Sequence, residues 1–147
     1  MVPVPAALDP DTRLIAELRR RGQRVTSQRL VIHRALRELE RHVTAEQLLE
    51  AVRERLPGVS LPTVYATLDL LDELGVVHRV SRAPHAALYD PRTDPHHHLA
   101  CTRCGRIEDL DADLDLAGAA RAARRAGFSP TRSELVVSGL CAGCARG

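Results

Sequence analysis

Apolar residues recur at helical spacing through the first half of the chain, then give way to short alternating runs. Leu14, Ile15 and Leu18 predict a helix over residues 11–21, ended by Gly22. Thr26 or Ser27 can cap a second helix whose inward face is Leu30, Val31, Ala35, Leu36 and Leu39. T-A-E-Q-L-L-E-A-V, from Thr44, reads as a third, with Thr44 and Gln47 forming a capping box and Pro57-Gly58 as its stop. Ser60 opens a fourth, S-L-P-T-V-Y-A-T-L-D-L-L-D-E-L, with Pro62 in its first turn and Gly75 just past its end. A β-branched run at 76–80, a turn at S-R-A-P-H and a return at 86–89 predict a hairpin. Helices followed by a hairpin form the winged helix-turn-helix plan, in which the helix before the wing enters the major groove.

Beyond Asp90 the texture changes. Residues 99–101 and 107–109 predict strands around a C-x-x-C turn, 113–126 an alanine-rich helix capped by Gly127, and 134–140 a further strand. The fold class is therefore α+β: a winged-helix domain over 11–88, a hinge over 89–95 and a small α/β unit over 96–147. Residues 1–10 read as a flexible arm. The second unit is too short for a good core of its own, which predicts a homodimer. A dimer is also what a reader of palindromic half-sites needs.

Composition changes this picture in three ways. Phe128, Tyr65 and Tyr89 are the only aromatic residues, so the core must be Leu, Val and Ala, which favours helices. Net charge is only +2, but residues 11–41 carry nine arginines against Asp11, Glu17, Glu38 and Glu40, an electrostatic footprint that a phosphate backbone could use or that could be a solvated helix face. The N-terminus has no basic stretch followed by an apolar run, and no apolar run reaches the ~18 residues that span a bilayer. A cytoplasmic protein without a membrane partner is expected, where paired cysteines serve as metal ligands or redox groups more often than as structural disulfides.

The candidate chemistry lies between Tyr89 and Asp109, in Y-D-P-R-T-D-P-H-H-H-L-A-C-T-R-C-G-R-I-E-D, and in C-A-G-C at 141–144. Cys101, Cys104, Cys141 and Cys144 form two C-x-x-C pairs, and two such turns complete a tetrahedron around structural zinc. A thioredoxin-like redox pair would lie after a strand at a helix N-terminus with a following βα pattern, which neither pair is expected to show. His96 and His98 alternate along an extended segment, so they share one side and His97 takes the other. Asp90 and Asp109 lie near enough in sequence to join them. Imidazoles with carboxylates suit zinc, iron, manganese or nickel, which points to a second, responsive site.

These residues resemble the ferric uptake regulator (Fur) superfamily of bacterial metal-dependent repressors over about residues 11–144. The motifs are G-Q-R-V-T-S-Q-R at 22–29, H-V-T-A-E-Q-L at 42–48, S-L-P-T-V-Y at 60–65, H-H-H-L-A-C-T-R-C-G at 96–105 and C-A-G-C. The resemblance implies a DNA-binding winged helix, a dimerisation domain, and a regulatory metal at the hinge. By position its ligands are His42, Asp90, His96, His98 and Asp109, with Glu108 as the adjacent carboxylate. Three imidazoles and two carboxylates suit Fe2+ or Mn2+.

Aspartate at both 90 and 109 resembles the peroxide-sensing PerR-type branch, whereas iron-sensing members commonly carry glutamate there. The zinc-responsive branch places a cysteine near position 90, and here none is left over. The branch implies that bound Fe2+ reacts with hydrogen peroxide, that His42 or His96 is oxidised, and that DNA is released. Leu116 and Ser133 stand where a further family site would have ligands. Arg24, Arg29, Thr63 and Tyr65 are the expected contacts to a palindromic double-stranded operator, while Ala66 can touch a thymine methyl but makes no bidentate base contact. No ligand role is expected for His33, His78 or His85. An iron- or manganese-responsive uptake regulator is the alternative within the family. A heme-responsive regulator, a non-heme iron enzyme and an architectural zinc-stabilised DNA binder are the others; the winged helix supplies no substrate pocket, so no enzyme is expected.

Overall fold

A computed structural model describes residues 9–80 and 85–147. Contacts divide the chain into two compact units, Met1–Thr93 and Asp94–Gly147.

The first unit begins with α1 (Pro10–Arg20), whose N-cap is Asp9, so residues 9 and 10 of the expected arm belong to a helix; the rest of the arm lies outside the described residues. α2 (Ser27–Leu39) is capped by Thr26, whose hydroxyl accepts from the Arg29 N–H. α3 (Ala45–Val52) starts with the predicted Thr44–Gln47 capping box. It ends five residues before Pro57, because the chain leaves the helix in turns from Arg53 onward. α4 (Leu61–Glu73) is capped by Ser60 and followed, after its C-cap Leu74, by Gly75, whose φ of 72° only glycine adopts at little cost. β1 (His78–Val80) and β2 (Leu88–Asp90) pair antiparallel with Arg79 opposite Tyr89. The strands are shorter than predicted, since Val76 and Val77 enter the core instead. The wing's tip at 81–84, within the expected turn, lies outside the described residues.

The core of this unit is aliphatic, as the composition requires: Leu14, Leu18, Ile32, Leu36, Leu48, Val64, Leu68 and Leu71 are fully enclosed, with Tyr89 among them. Four helices and a two-stranded wing around that core make a winged helix-turn-helix.

The second unit is a three-stranded sheet in the order β4-β3-β5, from β3 (His97–Cys101), β4 (Ile107–Leu110) and β5 (Val136–Gly139). β3 runs antiparallel to β4 and parallel to β5. Between them α5 spans Ala117–Arg125, later than predicted, because the aspartate-rich stretch before it is irregular and Asp115 accepts from the Ala117 N–H. A short helix absent from the sequence reading, α6 (Ala142–Ala145), follows β5. Within this unit α5 buries nothing, and Leu99, Phe128, Leu135, Val137 and Leu140 are exposed. Such a thin core calls for further stabilisation, from metal, from a second chain or from both.

Candidate metal centres

Tight β-hairpin geometry brings the four cysteines together. Cys101 ends β3, Cys104 closes the following turn, and the parallel pairing of Cys101 with Gly139 brings the end of β5 alongside. Cys141 is the N-cap of α6 and Cys144 lies one turn on. The second pair therefore does sit at a helix start after a strand, in part contrary to expectation. It is nonetheless no isolated redox dithiol, because the four sulfurs lie within 4.8 Å of one another and Cys104 Sγ is 3.9 Å from Cys141 Sγ. A tetrahedral zinc with metal–sulfur bonds near 2.3 Å has sulfur edges of about 3.8 Å.

Electrostatics favour the same ion. The Cys104 and Cys141 backbone N–H groups hold the Cys101 thiol down to about 5, whereas hydrogen bonding to Cys141 and crowding by the other sulfurs push Cys144 up to about 12. These are the two ends of one shared titration: the first thiolate forms readily and the last requires a cation. The residues fit zinc.

The N/O ligand candidates fall in both units. In the first, Val43 bridges Tyr89 through paired backbone hydrogen bonds, and the neighbouring pair puts His42 Nε2 3.2 Å from Asp90 Oδ2. The other Asp90 oxygen accepts from the Arg92 N–H at 2.9 Å, which fixes the carboxylate. In the second unit His98 is the register partner of Asp109. Asp109 Oδ1 lies 3.4 Å from His96 Nε2 and 3.9 Å from His98 Nε2. The two rings stand 4.7 Å apart, edge to face. His96 Nδ1 bonds the Asp94 carbonyl at 2.7 Å, so Nε2 is left to present a lone pair. Glu108 faces away and pairs with Arg106 at 2.6 Å, which makes Asp109 the carboxylate beside the histidines. His97 takes the opposite side, as alternation predicts, its Nδ1 accepting from the Leu135 N–H. The sequence reading missed Glu134, whose Oε2 is 4.0 Å from His98 Nδ1; no spacing rule connects it to the histidines.

The expected DNA contacts are partly engaged already. Arg24 is exposed after the turn that ends α1, but Arg29 donates to the Arg24 carbonyl at 2.5 Å. The Thr63 hydroxyl meets that of Ser60 at 3.0 Å within the α4 cap, and Tyr65 donates to Glu46 at 3.1 Å. Ala66 and Asp69 are on the exposed side of α4. In the basic first third, Arg20 pairs with Glu17 and Arg34 with Asp11, so part of that charge is consumed internally.

Residues 20–138 match the model of the ferric uptake regulator family. The chain belongs to that family. Fur-family proteins are metal-responsive, dimeric, DNA-binding transcriptional regulators, and the cysteine cluster and histidine–aspartate pairs are the donor sets such a regulator needs. The peroxide-responsive repressor PerR of Staphylococcus epidermidis is 30% identical over 135 residues, covering 88% of this chain and 87% of that protein. Ferric uptake regulation protein 1 of Mycolicibacterium fortuitum is 37% identical over 120 residues, covering 81% and 74%. Among solved structures, the Pseudomonas aeruginosa ferric uptake regulator with manganese superposes with a TM-score of 0.65 at 27% identity, covering 87% of this chain and 97% of that one. No helix among the described residues is long and apolar enough to cross a membrane.

Proposed function

We propose that the protein is a peroxide-sensing, metal-dependent repressor. His42 and Asp90 with His96, His98 and Asp109 serve as ligands of one regulatory Fe2+ or Mn2+, and the four cysteines hold structural zinc. Residues 11–88 bind DNA, 89–95 act as a hinge and 96–147 dimerise. The metal joins ligands from before and after the hinge, so it selects a fixed orientation of the two DNA-binding domains and a matching palindromic operator. Work on an operator places the protein in the cytoplasm.

The observation that carries the peroxide reading is the carboxylate pair: aspartate occupies both positions, each beside a histidine Nε2. A bound Fe2+ would supply peroxide reduction, with a ring carbon of His42 or His96 as the acceptor of one oxygen and water as the other product. An oxidised imidazole is a poorer donor, the metal is lost, and the orientation that fits DNA goes with it. The relatives include both PerR and Fur proteins, so a metal-uptake regulator is the competing reading.

The test is operator binding by the zinc-loaded protein with Fe2+ or Mn2+, before and after hydrogen peroxide, with peptide mass mapping. Loss of binding in the iron form alone, with one added oxygen on the peptide holding His42 or His96, supports the sensor. Retention by both forms with unmodified histidines overturns it in favour of the uptake regulator.

A further inference from the structure

His98 is fully enclosed, and its ring is held between two carboxylates. Its Nε2 faces Asp109 Oδ1 at 3.9 Å and its Nδ1 faces Glu134 Oε2 at 4.0 Å. The backbone sets this up: the His98 N–H donates to the Leu135 carbonyl at 3.0 Å, so the residue preceding Leu135 is carried alongside the ring. Glu134 is itself fixed, because Arg132 Nη2 binds the same Oε2 at 2.6 Å. A neutral imidazole that offers Nε2 to a metal carries its proton on Nδ1, and that N–H needs an acceptor. His96 meets this need with the Asp94 carbonyl.

We propose that Glu134 is a positioning residue for His98: its carboxylate accepts the Nδ1–H, fixes the tautomer that presents Nε2, and raises the basicity of that nitrogen. The 4.0 Å separation is longer than a hydrogen bond, and a side-chain shift of about 1 Å closes it. The two histidines of the β3 segment are then unequal. His96 leans on a neutral carbonyl and His98 on an anion, so His98 is the stronger donor and the one more sensitive to its support. Arg132 keeps the glutamate aimed. This inference rests on His98 being a regulatory ligand.

Mn2+ titration of the full-length, zinc-loaded protein tests it, with Glu134→Ala, Glu134→Gln and His98→Ala compared with the unaltered chain. Glu134→Ala is expected to weaken Mn2+ binding 10- to 100-fold, as loss of such a support typically does. Glu134→Gln, which keeps a carbonyl acceptor, should recover part of the loss, with zinc content and melting temperature unchanged in both. Ring 15N shifts give a readout independent of the metal: His98 should be Nδ1-protonated in the unaltered protein and shift toward the other tautomer in Glu134→Ala. Unchanged Mn2+ affinity and ring shifts in both Glu134 variants, with binding lost in His98→Ala, would overturn the role of Glu134 and leave the site reading intact. Unchanged binding in His98→Ala would overturn the site reading itself.

Discussion

Val43 and Tyr89 exchange both backbone hydrogen bonds, at 3.1 and 2.8 Å, although they lie 46 positions apart in the chain. Both side chains are fully enclosed in the first unit's core. In an antiparallel ladder the next pair, His42 and Asp90, must then project to the opposite face. The pleat alone explains why a histidine before a helix and an aspartate ending a strand meet at 3.2 Å. The second unit repeats the device, with His98 and Asp109 paired across β3 and β4.

If that pair donates to the regulatory metal, His42→Ala and Asp90→Asn should each weaken Mn2+ binding on the order of 100-fold. Zinc content and melting temperature should be preserved, because neither side chain lies among the residues that fill the core. Operator binding should become independent of added Mn2+ and weak. Full Mn2+-dependent binding by either variant would remove the residue from the ligand set.

The winged helix was legible because each helix announces itself locally: Thr44 with Gln47, Ser60 with Pro62, and Gly75 at φ 72° all act within a few residues. The C-terminal unit was read less well. α5 begins after Leu116, which has no capping side chain, so no local signal fixed its start, and α6 is a single turn. Ligand candidates inside one stretch, His96, His98 and Asp109, were visible from alternation. His42 came only with the family resemblance, since no periodicity links it to Asp90. Glu134 was invisible, because what brings it to His98 is a parallel strand pairing across 36 residues.

The second unit should depend on zinc. Beyond the histidines, its buried residues are little more than Ala100 and Cys101, far too few to offset the conformational entropy of ordering some fifty residues. Cys104→Ser, or prolonged chelation under reducing conditions, should release one zinc per chain and abolish the β-sheet signal of this unit. The α-helical signal of the first unit should persist. A chelated protein that keeps both signals would show the cysteines to be structurally dispensable.

Asp90→Glu combined with Asp109→Glu separates metal sensing from peroxide sensing. Each change keeps the carboxylate but lengthens its reach by one methylene, which alters how the ligands crowd the metal. Metal-dependent operator binding should stay within about tenfold of the unaltered protein, roughly 1.4 kcal/mol. Histidine oxidation by peroxide should slow clearly more than that. Equal oxidation rates in both proteins would mean that the aspartates do not set the reactivity.

Arg24 is exposed and follows the turn that closes α1, so its charge is available to a phosphate. Arg24→Ala should weaken operator and random DNA alike and reduce the salt slope by about one. Arg29→Ala should act differently: its guanidinium supports the Arg24 carbonyl, so the substitution should lower stability as well as affinity. A sequence-selective loss in Arg24→Ala would instead mark a base contact.

His33 should make the first unit acid-labile. It is 3% exposed within α2, and burial, reinforced by Arg37, Arg13 and Arg34 against the opposing pull of Asp11, lowers its pKa from 6.5 to about 4. The folded state thus resists the proton that the unfolded chain accepts. Stability is complete above pH 6.5, declines as pH falls from 6.5 toward 4, and is fully lost from this source below 4. At about 1.4 kcal/mol per unit the effect reaches at most about 3.5 kcal/mol. His33→Leu cannot titrate, so the unaltered protein should lose unfolding free energy in urea relative to the variant, by that order, between pH 7.5 and pH 4.5. Contributions from groups elsewhere are common to both proteins and cancel in the difference. A pH-independent difference would place His33 in a more solvated site than α2 gives it here.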